Sequence, residues 1–192
     1  MPIKLKTLLS SLFPNWGRRQ AKGKNRDREM VNAEHIINQL QKGPTGQTGE
    51  ILAVDGDLQV RMQMADWDRL GCLLEKLEMK RTNGHPLKLD PVRIEKEMTY
   101  LGEPLRIIEL EKNFGKAILR SFPPRMENGT VSFFEMVLND AEGLSLTRLA
   151  YDRSLGKRSP IPVPFTRETL ERLLSDLIYL VSASPSLPPS RT

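Results

Sequence analysis

Few residues in this chain have the types and spacing that chemistry requires. Asp66 and Asp68 stand two apart, and His85 and Asp90 follow in the next segment. Two carboxylates and an imidazole are the parts of a general acid and base pair. No further spacing ties these four together. Aspartates at the start of an apolar-periodic run read more simply as caps that favour the helix dipole. Cys72 lies beside a row of leucines, with neither histidine near it in sequence, and reads as packing. The 2 histidines, His35 and His85, have no cysteine or carboxylate at ligand spacing, so no metal site is inferred. Residues 43–49, GPTGQTG, are rich in glycine. A phosphate loop also needs a Gly-Lys-Ser/Thr and a following helix, and both are missing. The sequence therefore supplies no catalytic residues, no cofactor and no small-molecule substrate. It predicts a protein that is not an enzyme.

The elements that position these residues follow from periodicity. Ala33, Ile36, Ile37 and Leu40 share one helical face, predicting a helix over 29–42 that the glycines at 43–49 stop. Glu50–Val54 and Leu58–Met64 flank Asp55-Gly56-Asp57, a strong hairpin signal. Leu70, Leu73, Leu74 and Leu77 then recur at helical spacing, predicting a helix over 66–81 with Asp66 and Asp68 in its first turn. Residues 92–101 alternate charged and apolar side chains and suit a strand or a short helix, with the strand preferred. From Pro104 onward, turns at Asn113-Phe114-Gly115, Glu127-Asn128-Gly129, Ala141-Glu142-Gly143 and Ser154–Lys157 punctuate a β-meander. Its strand TVSFFEMVL places Phe134, Met136 and Leu138 on one face and Val131, Phe133 and Val137 on the other. Such a strand belongs in mid-sheet with both faces covered. The prolines 160, 162 and 164 mark an edge or an extended lead-in. Thr166 caps a closing helix striped by Leu170, Leu173, Leu174, Leu177, Ile178 and Val181.

The fold class that results is α+β: an antiparallel β-meander packed on leucine-striped helices. Residues 58–79 and 158–180 share a strand-cap-helix shape, suggesting two β-then-α units in one body. Residues 1–28 are predicted to be a basic amphipathic arm, partly disordered. Residues 29–182 form a single domain, with helix, hairpin and helix over 29–81 and meander plus C-terminal helix over 92–182. Residues 183–192 are a disordered Pro/Ser tail.

The charge is concentrated in the arm. Residues 1–30 hold eight basic side chains and two acids, leaving 21 basic against 22 acidic residues elsewhere. Lys4, Lys6, Arg18, Arg19, Lys22, Lys24, Arg26 and Arg28 are the candidates for contact with an anionic surface. Leu5, Leu8, Leu9, Leu12 and Trp16 add an apolar side. This composition suits a membrane-surface anchor, an organelle presequence, a phosphate-contacting arm, or a terminus packed on the body. It lacks the long apolar core and cleavage site of a secretory signal. The single cysteine excludes an internal disulfide, so the cytoplasm is the expected compartment, with organelle targeting or peripheral membrane attachment through the arm as the alternative.

The segment LSLTRLAYDRSLGKRSPIPVPFTRETLERLLSDL runs strand, Gly-Lys turn, strand and helix. In element order, residues 103–182 resemble the Whirly and purine-rich-element-binding families of single-stranded nucleic-acid binders. The resemblance implies a four-strand meander followed by a helix, repeated twice, with a sheet face that contacts single strands. Such a face needs basic and aromatic side chains. Residues 104–165 hold nine basic side chains and seven acids, and the exposed candidates are Phe114, Arg120, Tyr151, Arg153, Lys157 and Arg158. The function expected is a non-catalytic interaction protein that binds a protein partner or itself through the body. A homodimer would cover the second face of TVSFFEMVL. Single-stranded nucleic-acid binding by sheet and arm is the alternative.

Overall fold

The computed structural model describes residues 33–40, 49–127 and 129–182. The basic arm, most of the glycine-rich linker and the Pro/Ser tail lie outside the described residues. Helix α1 (Ala33–Leu40) precedes strands β1 (Glu50–Asp55), β2 (Leu58–Trp67) and β3 (Gly71–Arg81). Helix α2 (Pro91–Glu97) leads to β4 (Leu105–Glu111), β5 (Lys116–Ser121), β6 (Arg125–Glu127), β7 (Thr130–Asn139) and β8 (Gly143–Asp152). Short strands β9 (Lys157–Pro160) and β10 (Val163–Thr166) precede helix α3 (Arg167–Ser182). The strands join in one sheet in the order β1-β2-β3-β8-β7-β5-β4, with β10 on β3, β6 on β7 and β9 on β8. Every pairing is antiparallel. The protein is thus mostly antiparallel sheet with few helices, an α+β arrangement.

Alternation along the strands sorts the side chains onto two faces. Val60, Met62 and Met64, Leu77 and Met79, Leu144 and Leu146, and Phe134, Met136 and Leu138 are buried on one face. Ile36 of α1, Ile94 of α2 and the α3 residues Leu170, Leu173, Leu174, Leu177, Ile178 and Val181 join them in one continuous core. The expected stripe of α3 is buried throughout, and the Thr169 N–H donates to Thr166 Oγ1 at 3.2 Å, so Thr166 caps the helix as its position predicts. The Asp-Gly hairpin also forms where expected, with Asp55 paired to Leu58.

Two expected elements are replaced. Residues 66–81 are not a helix: β2 runs on to Trp67, turns, and returns as β3. The helix-like spacing of its apolar residues comes from a pair of register shifts. Gln63 pairs with Lys76 and Met64 with Leu74, so Glu75 is an extra residue on β3; Ala65 is then skipped on β2. The bulge turns the buried positions from Cys72 and Leu74 to Leu77 and Met79. The three-residue step from 74 to 77 imitates a helical interval. Leu70 is 72% exposed and does not belong to the stripe. This removes the strand-cap-helix repeat, because only the second copy ends in a helix. The pattern that does recur is a helix followed by a meander, α1 with β1–β3 and α2 with β4, β5, β7 and β8. The second replaced element is the strand preferred over 92–101, where the alternative, a short helix, forms. Pro91 at the first position and Asp90, whose carboxylate accepts the Val92 N–H at 3.0 Å, start α2 instead.

The sheet edge at β1 is closed by α1. The Gln39 amide brackets Val54: Oε1 accepts the Val54 N–H at 3.0 Å and Nε2 donates to the Val54 carbonyl at 3.0 Å. Nε2 also lies 2.9 Å from His35 Nε2, and His35 Nδ1 lies 2.8 Å from Asp55 Oδ1. One side chain therefore supplies the donor and acceptor that a neighbouring strand would supply. Gln39→Ala is expected to lower stability by about 1 kcal/mol and to make the protein associate as concentration rises. Urea melts at two protein concentrations, with light scattering, measure both effects. A variant that melts and scatters like the wild type would show that the edge needs no cap.

Candidate functional site

The face of the sheet opposite the core has no helix over it among the described residues. Its side chains fall into rows set by the registers. Met126, Val131, Tyr151 and Arg158 are neighbours across β6, β7, β8 and β9. Phe133, Leu149 and Pro160 form the next row. Beyond them lie Thr147, Glu135, Arg120 and Arg106 across β8, β7, β5 and β4.

A groove of about 690 Å³ opens over the first two rows. Val131, Phe133 and Tyr151 line it, with Ile108, Phe122 and Pro124 on one side and Gly156, Lys157 and Arg158 on the other. Phe122 is 61% exposed and Met126, beside Val131, is 63% exposed. Phe133 is buried although no element among the described residues covers it, because the guanidinium of Arg120 sits 5.6 Å and that of Arg158 5.9 Å from its ring centroid. Arg120 is itself held by Glu135, Nε to Oε2 at 2.7 Å. Lys157 and Arg158 have no acidic partner within ion-pair distance among the described residues. Lys157 faces Asp152 across the hairpin, but Asp152 Oδ1 already accepts the Ser154 N–H at 2.8 Å and the Leu155 N–H at 3.2 Å. Those bonds, with the Ser154 hydroxyl first among them, hold the Asp152 carboxyl below its ordinary pKa. The turn is built by the acid, and the two cations project beside an apolar floor.

The chain matches no family model, no curated protein and no solved structure. The site is read from its own geometry.

Of the expected sheet contacts, Arg120, Tyr151, Lys157 and Arg158 line this one groove. Phe114, 72% exposed, sits in the short 3-10 turn Lys112–Phe114 between β4 and β5 and does not line it. Arg153 lies in the β8–β9 turn, outside the lining. The eight arm residues lie outside the described residues. The groove residues missed by sequence reasoning are Ile108, Ser121, Phe122, Pro124, Val131, Phe133 and Gly156. For Val131 and Phe133 the signal available was the two-faced strand TVSFFEMVL; among the described residues no second layer covers that face, and arginine side chains lie over Phe133.

The residues considered for acid-base chemistry serve turns. Asp68 Oδ1 accepts the Leu70 and Gly71 N–H groups at 2.7 and 2.8 Å, closing the β2–β3 hairpin. Asp66 Oδ1 accepts the Trp67 N–H at 2.8 Å. Asp90 caps α2, and the His85 N–H donates to Asn83 Oδ1 at 2.9 Å. Asp66 and Asp68 therefore hold a strand turn, in place of the helix start expected of them. Cys72 is buried, and burial pushes its thiol up to about 11, which suppresses the thiolate at neutral pH. Among the described residues no three His, Cys, Asp or Glu side chains converge on a metal position.

A second hollow on the open face, about 510 Å³, is lined by Gln59, Arg61, Lys76, Glu78 and neighbours. Arg61 pairs with Glu50 at 2.8 Å and Lys76 with Glu78 at 2.6 Å, so much of its charge is already matched. No described helix is long and apolar enough to cross a membrane.

Proposed function

We propose that this is a non-catalytic interaction protein that receives a protein partner on the open face of its sheet, at the Phe133 groove. One observation carries the reading: exposed apolar side chains, Phe122, Met126 and Ile108, gather around a groove whose floor no element of the described chain covers. Exposed apolar clusters rimmed by charge mark interaction sites. The arm, with its eight basic residues, would bring the body to an anionic surface.

The test is a selection of random peptides displayed on phage against the full chain, with Phe122→Asp as the counter-target. Phe122 is largely exposed, so the substitution leaves the core alone. Peptides that bind the wild type and lose the variant are expected. Selection that yields none, or only peptides indifferent to the variant, would overturn the reading. Sedimentation of both proteins at micromolar concentration identifies a second copy as the partner if a dimer forms and Phe122→Asp dissolves it.

A further inference from the structure

Resting on the reading of the groove as a protein-binding site, we infer that its partner is an acidic peptide segment carrying an aromatic or large aliphatic anchor. The anchor lies against Val131, Phe122 and Ile108, beside the guanidinium-covered ring of Phe133, and one or two carboxylates flank it at the Lys157–Arg158 end.

The argument begins with the distribution of charge. The groove lining holds three cations, Arg120, Lys157 and Arg158, and no acid. Glu135 neutralises Arg120 at 2.7 Å, which leaves the excess on the β8–β9 hairpin alone. That hairpin also carries Arg153, while its one acid, Asp152, is bonded into the turn. The positive charge therefore sits at one end of an apolar trough. A ligand that matches it is apolar over most of its contact and anionic at one end. Charged groups placed in this way set the direction and register of a bound chain.

The same distribution argues against a nucleic-acid strand. Continuous single strands need a basic track and a succession of open aromatic faces. Two guanidiniums already lie over the Phe133 ring, so that ring is a cation-covered floor. Beyond the groove, towards β5 and the end of β4, a neighbouring hollow is lined by Glu109, Glu111 and Glu142 against Lys116. A phosphate backbone continuing across the sheet would meet those acids. A short peptide ends before it reaches them.

The guanidinium covering has a second consequence. Arg158 is held over Phe133 by the ring and by its place on β9, with no carboxylate paired to it among the described residues. It is pre-positioned, and a carboxylate from the partner completes its pairing without displacing an internal one. Arg120 differs, because a partner acid there would compete with Glu135. Lys157 and Arg158 are accordingly the charges that recognise the segment, and Arg120 supports the floor.

The experiment measures fluorescence anisotropy of labelled synthetic peptides against the full chain. One peptide pairs an aromatic anchor with flanking glutamates; its twin carries lysines instead; an oligothymidylate of similar length is the third probe. The glutamate peptide is expected to bind, and to weaken at least about tenfold in Lys157→Glu/Arg158→Glu, with thermal melts confirming the fold of the variant. That variant keeps the basic arm, so binding carried by the arm persists in it. Undiminished binding to the variant overturns the proposal, as does preference for the lysine twin or tighter binding of the oligothymidylate. If phage selection yields neutral or basic peptides that still depend on Phe122, the partner chemistry proposed here fails and the protein-binding reading stands.

Discussion

Glu103→Ala is expected to destabilise the protein by about 3–5 kcal/mol, the largest effect of any single side chain outside the apolar core. Glu103 Oε1 receives Arg148 Nη2 at 2.8 Å, and both side chains are largely withdrawn from solvent. Its second oxygen accepts the Ser121 hydroxyl. Arg148 also donates to Ser132 Oγ at 3.1 Å and lies 4.8 Å from the Phe134 ring centroid. Ser121 Oγ in turn accepts the Phe134 N–H at 2.8 Å. That last bond fills a gap: β7 pairs with β5 over 135–139 and with β6 over 130–132, and Phe134 lies between the two. Removing Glu103 leaves a buried guanidinium without its counter-charge and the Ser121 hydroxyl without its acceptor. Urea unfolding is expected to show a lower midpoint with the slope unchanged. Removing both charges with Glu103→Ala and Arg148→Met should recover most of the loss, since the cost lies in the orphaned ion. A loss below about 1 kcal/mol for Glu103→Ala would mean that the pair behaves as a surface ion pair.

This network shows what one sequence leaves hidden. Arg148 has the same parity on β8 as Leu144 and Leu146, which places it on the core face. Alternation alone makes such an arginine an apparent misfit. Its partner, Glu103, lies 45 residues away, and no local pattern joins them. The groove was hidden for a related reason. Val131 and Phe133 are apolar and nearly inaccessible, so they read as core, yet among the described residues no second layer lies over them, and two arginines lie over the Phe133 ring. Features set by neighbouring residues were legible: the Asp-Gly hairpin, the Thr166 cap and the six-residue stripe of α3. Of the four groove residues named from exposed turns and edges, Tyr151, Lys157 and Arg158 were legible because the β8–β9 hairpin is itself local, whereas Arg120 comes from β5. Gly143 belongs with the hidden features. Its φ of +104 and the approach of the Met79 carbonyl, 2.1 Å from where a Cβ would lie, come from the β3–β8 contact across the sheet.

Leu77→Ala is expected to cost about 2–5 kcal/mol, and Leu70→Ala to change stability by less than about 0.5 kcal/mol. A helix over 66–81 would give these two leucines similar weight, as members of one stripe. In the strand, Leu77 pairs with Met62 on one side and Leu146 on the other, and is fully buried under the helices. Leu70 stands in the turn held by Asp68, with its side chain in solvent. The loss at Leu77 has two parts, the transfer of the deleted carbons and the cavity left in the core between β2 and β8. Leu73 adds an internal control: it is 37% exposed on the face opposite Leu74, which is 2% exposed. Leu74→Ala should therefore resemble Leu77→Ala, and Leu73→Ala should lie well below both. Denaturation midpoints for the four variants rank the positions. Equal losses at 70, 73, 74 and 77 would restore the helix and dissolve β3, which carries the pairings to β2, β8 and β10. The ranking expected from the bulge at Glu75 keeps β3 as the strand that joins the β1–β2 hairpin to the strands beneath the groove.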